Sequence, residues 1–393
     1  MGSATSRRIT PALVGSWLRF ESTAGVTMCA GAVVALLWSA LGATSYQRIT
    51  SGNIGWSLAH WLQLANLHDL AANGLLTIFF LVVGLELSRE MTCGTMRTWR
   101  QAALPVTVAA GGMAATSLIM LTAGFALHSS ALRGGWGVPM ATDIAFTLGA
   151  LSLAGRRVPS ALRTFFLTVA IADDILAVLL LAPHSSSGLR LLAAALGTVL
   201  IAIVVRRRPP TRPLAYAGLL VILWVIFRVA HIETALAGVV VGTLVPFGDG
   251  QAGSLLEHRM IPWSTALALP LFALVSTGIS WEHVVWNHAS LQLGVVLAIA
   301  RVGGKVLGIS LATTLVIRLG MILPSGLSRR SVVAASALCA VGLTVPLLFA
   351  DAVYGRGTPS YATVTVALVV ASVLGVVLGT VALRVVHRSA TIH

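Results

Sequence analysis

Five ionisable side chains stand where such groups are costly. Asp143 lies in GVPMATDIAFTLG, Asp173 and Asp174 lie in FFLTVAIADDILAVLLL, and Arg301 and Lys305 interrupt a third long apolar run. A carboxylate within hydrocarbon faces a water-filled cavity or finds a partner, so it marks a functional position by default. Asp173 and Asp174 are consecutive, and neighbours on a helix point about 100° apart. One side chain can therefore meet a protein partner while the other faces a cavity. Burial and neighbouring charges decide when such acids give up their protons. Once deprotonated they offer oxygen ligands to a small hard cation. The chemistry these residues suggest is competition: the acids hold protons or a metal ion, and swapping those occupancies across a membrane is cation/proton antiport.

Lys305 sharpens this reading. It is the only lysine among 26 basic residues. Arginine stays charged when buried, whereas a buried lysine can lose its proton near neutral pH. A second group of titratable residues lies elsewhere. Glu86 and Glu90, in VGLELSRE, are one turn apart with Arg89 adjacent, and Glu257 and His258 are expected in the loop before a later span. Together they could form an acidic funnel that attracts cations from the cytoplasm. His231 and Glu233 open another apolar run, where a titrating side chain could report pH.

The elements that must position these residues follow from composition. The 393 residues are 57% hydrophobic and 10% charged, with a mean hydropathy of +0.91. Recurring apolar runs of roughly 17–25 residues fit spanning helices, and they lack the alternation of barrel strands. The fold class is therefore all-α polytopic membrane protein. The net charge of +14 sits in short loops between apolar runs, which reads as topology and argues against nucleic-acid binding. Cys29, Cys93 and Cys339 are far apart and match no disulfide or metal spacing. The first apolar run has no convincing cleavage site and reads as a retained span.

Twelve spans are expected, at about 24–43, 70–88, 103–126, 137–154, 161–182, 189–205, 214–229, 235–247, 264–280, 291–317, 331–350 and 361–386. The stretch 44–69 is too polar to span; it suits an external hairpin or an interfacial segment held by tryptophans. With this division nineteen arginines fall on the side of both termini and five on the other. The positive-inside rule then puts both termini in the cytoplasm. Span 4 is interrupted by Gly137, Pro139 and the polar pair Thr142-Asp143, and span 11 by Gly342, Thr344 and Pro346. Paired interruptions in corresponding positions point to a transporter's binding site between inverted repeats. Spans 3–5 and 10–12 form that core, and spans 1, 2, 8 and 9 its scaffold and interface side, in a single domain over 1–393. The ends of the broken helices need counter-charges, and Asp143 suits the positive ones.

These residues resemble the NhaA-type bacterial sodium/proton antiporter family. The likeness covers about 20–386 and rests on FFLVVGLELSRE (79–90), RQAALPVTVAAGG (100–112), PMATDIAFTLGALSLAGRRVP (139–159), AIADDILA (170–177), LAGVVVG (236–242), LEHRMIPW (256–263), GGKVLGISL (303–311) and LCAVGLT (338–344), in that order. It implies electrogenic exchange of Na⁺ or Li⁺ for protons in the bacterial inner membrane, with no resident cofactor and a homodimeric assembly. It also implies roles. Asp174 matches the main ion-binding carboxylate, with Asp173 as its neighbour paired to Lys305, and both acids take part in transient Na⁺ or Li⁺ binding. Thr142 and Asp143 match the pair at the crossing of the broken helices. Glu86 and Glu257 match funnel and pH-response positions, a group that here also takes in Glu90, Glu233 and His258.

The chain departs from the pattern at four places. Glu233 stands where a pH-linked histidine is usual, Val306 replaces the proline after the lysine, and Asn73 replaces an aspartate. Arg301 occupies an apolar position one turn before Lys305 and could claim one of the acids. Two other classes compete with this one. An intramembrane aspartyl protease requires Y-D and G-x-G-D contexts, which A-T-D-I and A-D-D-I do not provide. A coupled transporter of another substrate, such as an organic anion, would draw on the basic bias and Arg301.

Overall fold

In the computed structural model the described residues are 11–52, 66–93, 99–143, 147, 150–151, 159–181, 188–210, 212–230, 232, 234–247, 252–279, 281–324 and 327–389, and no strand occurs among them. The helices are α1 (Pro11–Leu41), α2 (Ala43–Ser51), α3 (Leu67–Thr92), α4 (Trp99–Ala126), α5 (Ser130–Gly134), α6 (Ser160–Leu181), α7 (Gly188–Arg207), α8 (Pro213–Val229), α9 (Ala235–Leu244), α10 (Ala252–Ser276), α11 (His288–Arg318), α12 (Arg329–Ser336), α13 (Thr344–Tyr354) and α14 (Pro359–Ser389). In hydrocarbon every backbone polar group must be satisfied within its own segment, which makes helix the default for such apolar runs. Among the described residues five stretches are long and apolar enough to cross a membrane: Leu67–Thr92, Ala103–Ala126, Ala252–Ser276, His288–Arg318 and Pro359–Val386. A sixth counts if the pair Arg329–Ala340 and Thr344–Tyr354 is one span, bent by 48°. The molecule is a multi-pass membrane protein.

Three expectations are corrected. Residues 43–51 form a helix and not half of a hairpin. Tyr46 and Thr50 lie one turn apart on its buried face, a helical spacing that the apparent alternation concealed. The Tyr46 phenol donates to Leu274 O at 2.8 Å and accepts from Gly278 N at 3.2 Å. Burial pushes that phenol up to about 12, so it keeps its proton and serves as a permanent donor. Helix α10 begins at Ala252, so Glu257 and His258 lie on a helix and not in a loop. Helix α1 likewise begins at Pro11, well before residue 24. Glu233 and His231 lie outside the described residues, as does most of the stretch 144–158.

Lipid offers no hydrophobic drive for helix association, so close contact depends on small residues. A Cβ placed on Gly308 of α11 would stand 2.8 Å from Ala115 Cβ and from Gly112 Cα of α4. At Gly304 it would stand 2.8 Å from Thr116 Cα. Helices α3 and α9 meet in the same way: a Cβ on Gly242 would lie 2.6 Å from the Gly84 carbonyl carbon. Helix α9 has only 10 residues, about 15 Å of rise, and its C-terminal Val245 carbonyl accepts from Ser88 Oγ at 2.7 Å. The glycine contacts therefore fix α11 against α4 and bring Lys305 to a definite depth.

Candidate ion-binding site

The site grows from an interruption. Helix α12, capped by Ser328, continues as a 3₁₀ turn through Ala337–Ala340 and then stops. Val341 is extended, with ψ of 130°, and the chain re-enters helix at Thr344. A helix that stops inside the protein leaves carbonyls without intrahelical donors, and its end carries partial negative charge. The new helix α13 presents the opposite end. The segment 137–143 packs against this break. Asp143 N donates to Val341 O at 3.1 Å, and Thr142 Oγ1 donates to Cys339 O at 2.8 Å. Thr147 Oγ1 donates to Leu338 O at 3.3 Å. Thr344 Oγ1 donates to Asp143 Oδ2 at 2.8 Å, so the carboxylate sits beside the first turn of α13. An anion is favoured there by the exposed N–H groups of the helix start.

Asp173 and Asp174 come from the middle of α6, which packs on α4. Both are 1% exposed, as are Asp143 and Lys305. Lys305 Nζ donates to Asp173 Oδ2, an ion pair buried on both sides. The lysine emerges where α11 widens into a π-helical turn over Ala300–Gly304, and its stem runs beside Gly112 of α4. Such turns shift the facing of the residues around them and recur at functional sites. The other atoms of the acid pair contrast with Asp173 Oδ2. Asp173 Oδ1 and both carboxylate oxygens of Asp174 are buried and accept no hydrogen bond from a donor among the described residues. The charges of Asp143, Asp173, Lys305 and Glu86 all act on Asp174. A buried carboxylate without protein donors needs a proton or a cation. Three oxygens so placed suit a small hard cation and equally suit a proton.

Arg301 does not form an ion pair with any of these acids. It is fully buried, and its Nε donates to Ala340 O at 2.7 Å. Its Nη2 donates to Ala141 O at 3.0 Å and to Gly342 O at 2.9 Å. The structure thus brings Thr142, Asp143, Asp173, Asp174 and Lys305 into one buried cluster, with Arg301 on the carbonyls of the break. Two members escaped the sequence reading as site residues: Thr344, the donor to Asp143, and Ser372, whose Oγ accepts from Gly342 N at 3.3 Å. A hydroxyl at the first position after a helix break was the available signal for Thr344. None existed for Ser372.

The second group lies apart, on α3 and α10. Arg89 Nη1 is 3.3 Å from Glu257 Oε1. Glu86 and Glu257 are 7% and 6% exposed, Glu90 is half-buried, and His258 is exposed. Glu86, Glu90, Arg89 and Glu257 interact electrostatically. They form one cluster at the end of α3, while Glu233 lies outside the described residues.

Comparison with known proteins adds an independent line. The family described as Na⁺/H⁺ antiporter 1 matches the chain over residues 15–383. The chain is 37% identical to Na(+)/H(+) antiporter NhaA of Frankia casuarinae over 420 residues, covering 99% of this chain and 92% of the relative. With Na(+)/H(+) antiporter NhaA 2 of Frankia alni it shares 38% over 344 residues, covering 85% and 70%. With Na(+)/H(+) antiporter NhaA of Aeromonas hydrophila it shares 33% over 392 residues, covering 95% and 96%.

Proposed function

The chain belongs to the Na⁺/H⁺ antiporter 1 family, and from that membership we propose that it exchanges Na⁺ or Li⁺ for protons across a bacterial inner membrane. It is a transporter and not an enzyme. The observation that carries the reading to particular residues is Asp174, whose two buried oxygens lack protein donors beside an Asp173 already held by Lys305. In the proton-loaded state Asp174 is neutral. When it opens to the other side and loses its proton, it and Asp173 Oδ1 receive Na⁺ in its place. Proton and ion compete for the same oxygens, and the barrier to leakage is the cost of carrying an uncompensated charge through the low-dielectric interior.

Lys305 extends the cycle. If it gives up its proton as the ion arrives, Asp173 Oδ2 is also freed for the ion and each turnover moves net charge, which makes the exchange electrogenic. Thr142 and Asp143 hold the crossing at which the two faces alternate. Glu86, Glu90, Glu257 and His258 attract cations to the mouth, with Glu233 as a further titrating group. Twelve spans with inverted repeats, two discontinuous crossing helices, cytoplasmic termini and a homodimer complete the proposed architecture. The charge bias and the observed break between Ala340 and Thr344 support it.

Everted membrane vesicles test the assignment. Added Na⁺ or Li⁺ is expected to collapse a respiration-built pH gradient, and Asp174→Asn to abolish the response. A silent wild-type protein, or an Asp174→Asn protein that responds like it, would contradict the reading.

A further inference from the structure

Arg301 is the largest fully buried side chain of the molecule among the described residues, and the exchange cycle above makes no use of it. Its three bonded carbonyls come from both partners at the crossing: Ala340 and Gly342 from the break, and Ala141 from the segment that packs on it. Ala340 ends a helix whose C-terminus carries partial negative charge and has no further helical donors, and Gly342 lies in the linker just beyond it. Converging carbonyls of this kind are the coordination that membrane proteins otherwise offer to mobile cations. Here the cation is covalently attached. Its Nη1 is buried without a hydrogen-bond partner among the described residues, and the charges of Asp173 and Asp143 act on the guanidinium. A Cβ on Gly342 would lie 2.8 Å from Nη2 and 2.8 Å from Asp143 N. The cage therefore has no spare room.

We infer that Arg301 is a tethered cation occupying a carbonyl cage at the crossing. It is a positioning residue: it locks the break against segment 137–143 and neutralises the helix end, which leaves Lys305 to Asp173 alone. The cage sets the charge of the site as well. Three carboxylates face two cations, so full ionisation with Lys305 still charged leaves one negative charge, which a single monovalent ion closes. Truncation of Arg301 uncovers a binding site for a free guanidinium ion.

The test uses full-length Arg301→Ala, purified and reconstituted, with guanidinium chloride as probe and urea as its uncharged isostere. Guanidinium at about 10 mM is expected to raise the melting temperature of the variant by about 3 °C, saturably. Wild type should show no rise, and urea should have no effect on either protein. Exchange at saturating Na⁺ is expected to fall about tenfold or more in the variant and to recover in part with guanidinium but not with urea. Recovery of monodisperse variant only when guanidinium is present during purification would support the cage equally. If guanidinium changes neither recovery, melting nor transport relative to urea, the inference is overturned. The transport arm rests on the antiport reading. The melting arm does not, so a wild type without exchange would remove the proposed function and leave the cage to be judged by melting alone.

Discussion

Asp173 and Asp174 are joined by one peptide bond, yet one is held by an ammonium and the other has no protein donor. The difference comes from the helix: adjacent residues point about 100° apart, so only Asp173 faces α11. Lys305 therefore matters first to Asp173. Removing one partner of a buried pair leaves an uncompensated charge, which costs about 3–5 kcal/mol. Lys305→Ala is expected to lower the melting temperature of the purified protein clearly, while Lys305→Ala combined with Asp173→Ala recovers much of the loss. Equal melting of all three proteins would mean that the pair contributes nothing to the fold. Thr344 makes a smaller case. Its hydroxyl bonds a buried carboxylate, so Thr344→Val should cost about 1–3 kcal/mol, read by the same melt. The sequence was informative about which ionisable groups lie in apolar runs and poor about what they touch. The three acids and the single lysine were visible because ionisable groups in apolar runs are conspicuous. The partners of Arg301 were not, because they are backbone carbonyls 39 to 160 positions away. Nε and Nη2 are committed to those carbonyls, so only Nη1 of the guanidinium is left for an anionic substrate.

The elements turn these contacts into a site by fixing depth and facing. Helix α11 brings Lys305 to Asp173 because Gly304 and Gly308 let it lie directly on α4. Gly308→Leu is expected to separate the two helices and cost more than about 3 kcal/mol, the scale of severe overpacking. The check is the yield of monodisperse protein, and Gly303→Leu serves as a control because no atom lies within 4 Å of its added Cβ. Equal yields would mean that the contact is not tight. Hydropathy made the apolar runs near 70–88, 103–126, 291–317 and 361–386 legible, because long runs of that kind have few alternatives in lipid. The start of α10 was misplaced because SLLEHRM is polar enough to resemble a loop, although its buried Leu256 and Glu257 belong to a helix. The π-helical turn before Lys305 left no trace that hydropathy could register, since it changes the facing and not the composition.

For the whole molecule the chemistry depends on two separated clusters and on a direction across the membrane. Arginines cluster on the side assigned to both termini, so a green fluorescent protein fused after His393 is expected to fluoresce and alkaline phosphatase fused there to be inactive. The opposite pattern would invert the orientation and put the Glu86–Glu257 cluster on the outer face. In the proposed cycle proton and sodium share the oxygens of Asp174. A ligand that must be deprotonated before it binds makes ion affinity depend on pH. The most direct measurement is the Na⁺ concentration giving half-maximal exchange in proteoliposomes, taken across pH with equal pH on both sides. Competition predicts that this concentration rises about tenfold for each unit of acidification and for each proton the ion displaces, once the site is mainly protonated, while the maximal rate at saturating Na⁺ changes little. A half-maximal concentration independent of pH, with only the maximal rate falling in acid, would contradict a shared site.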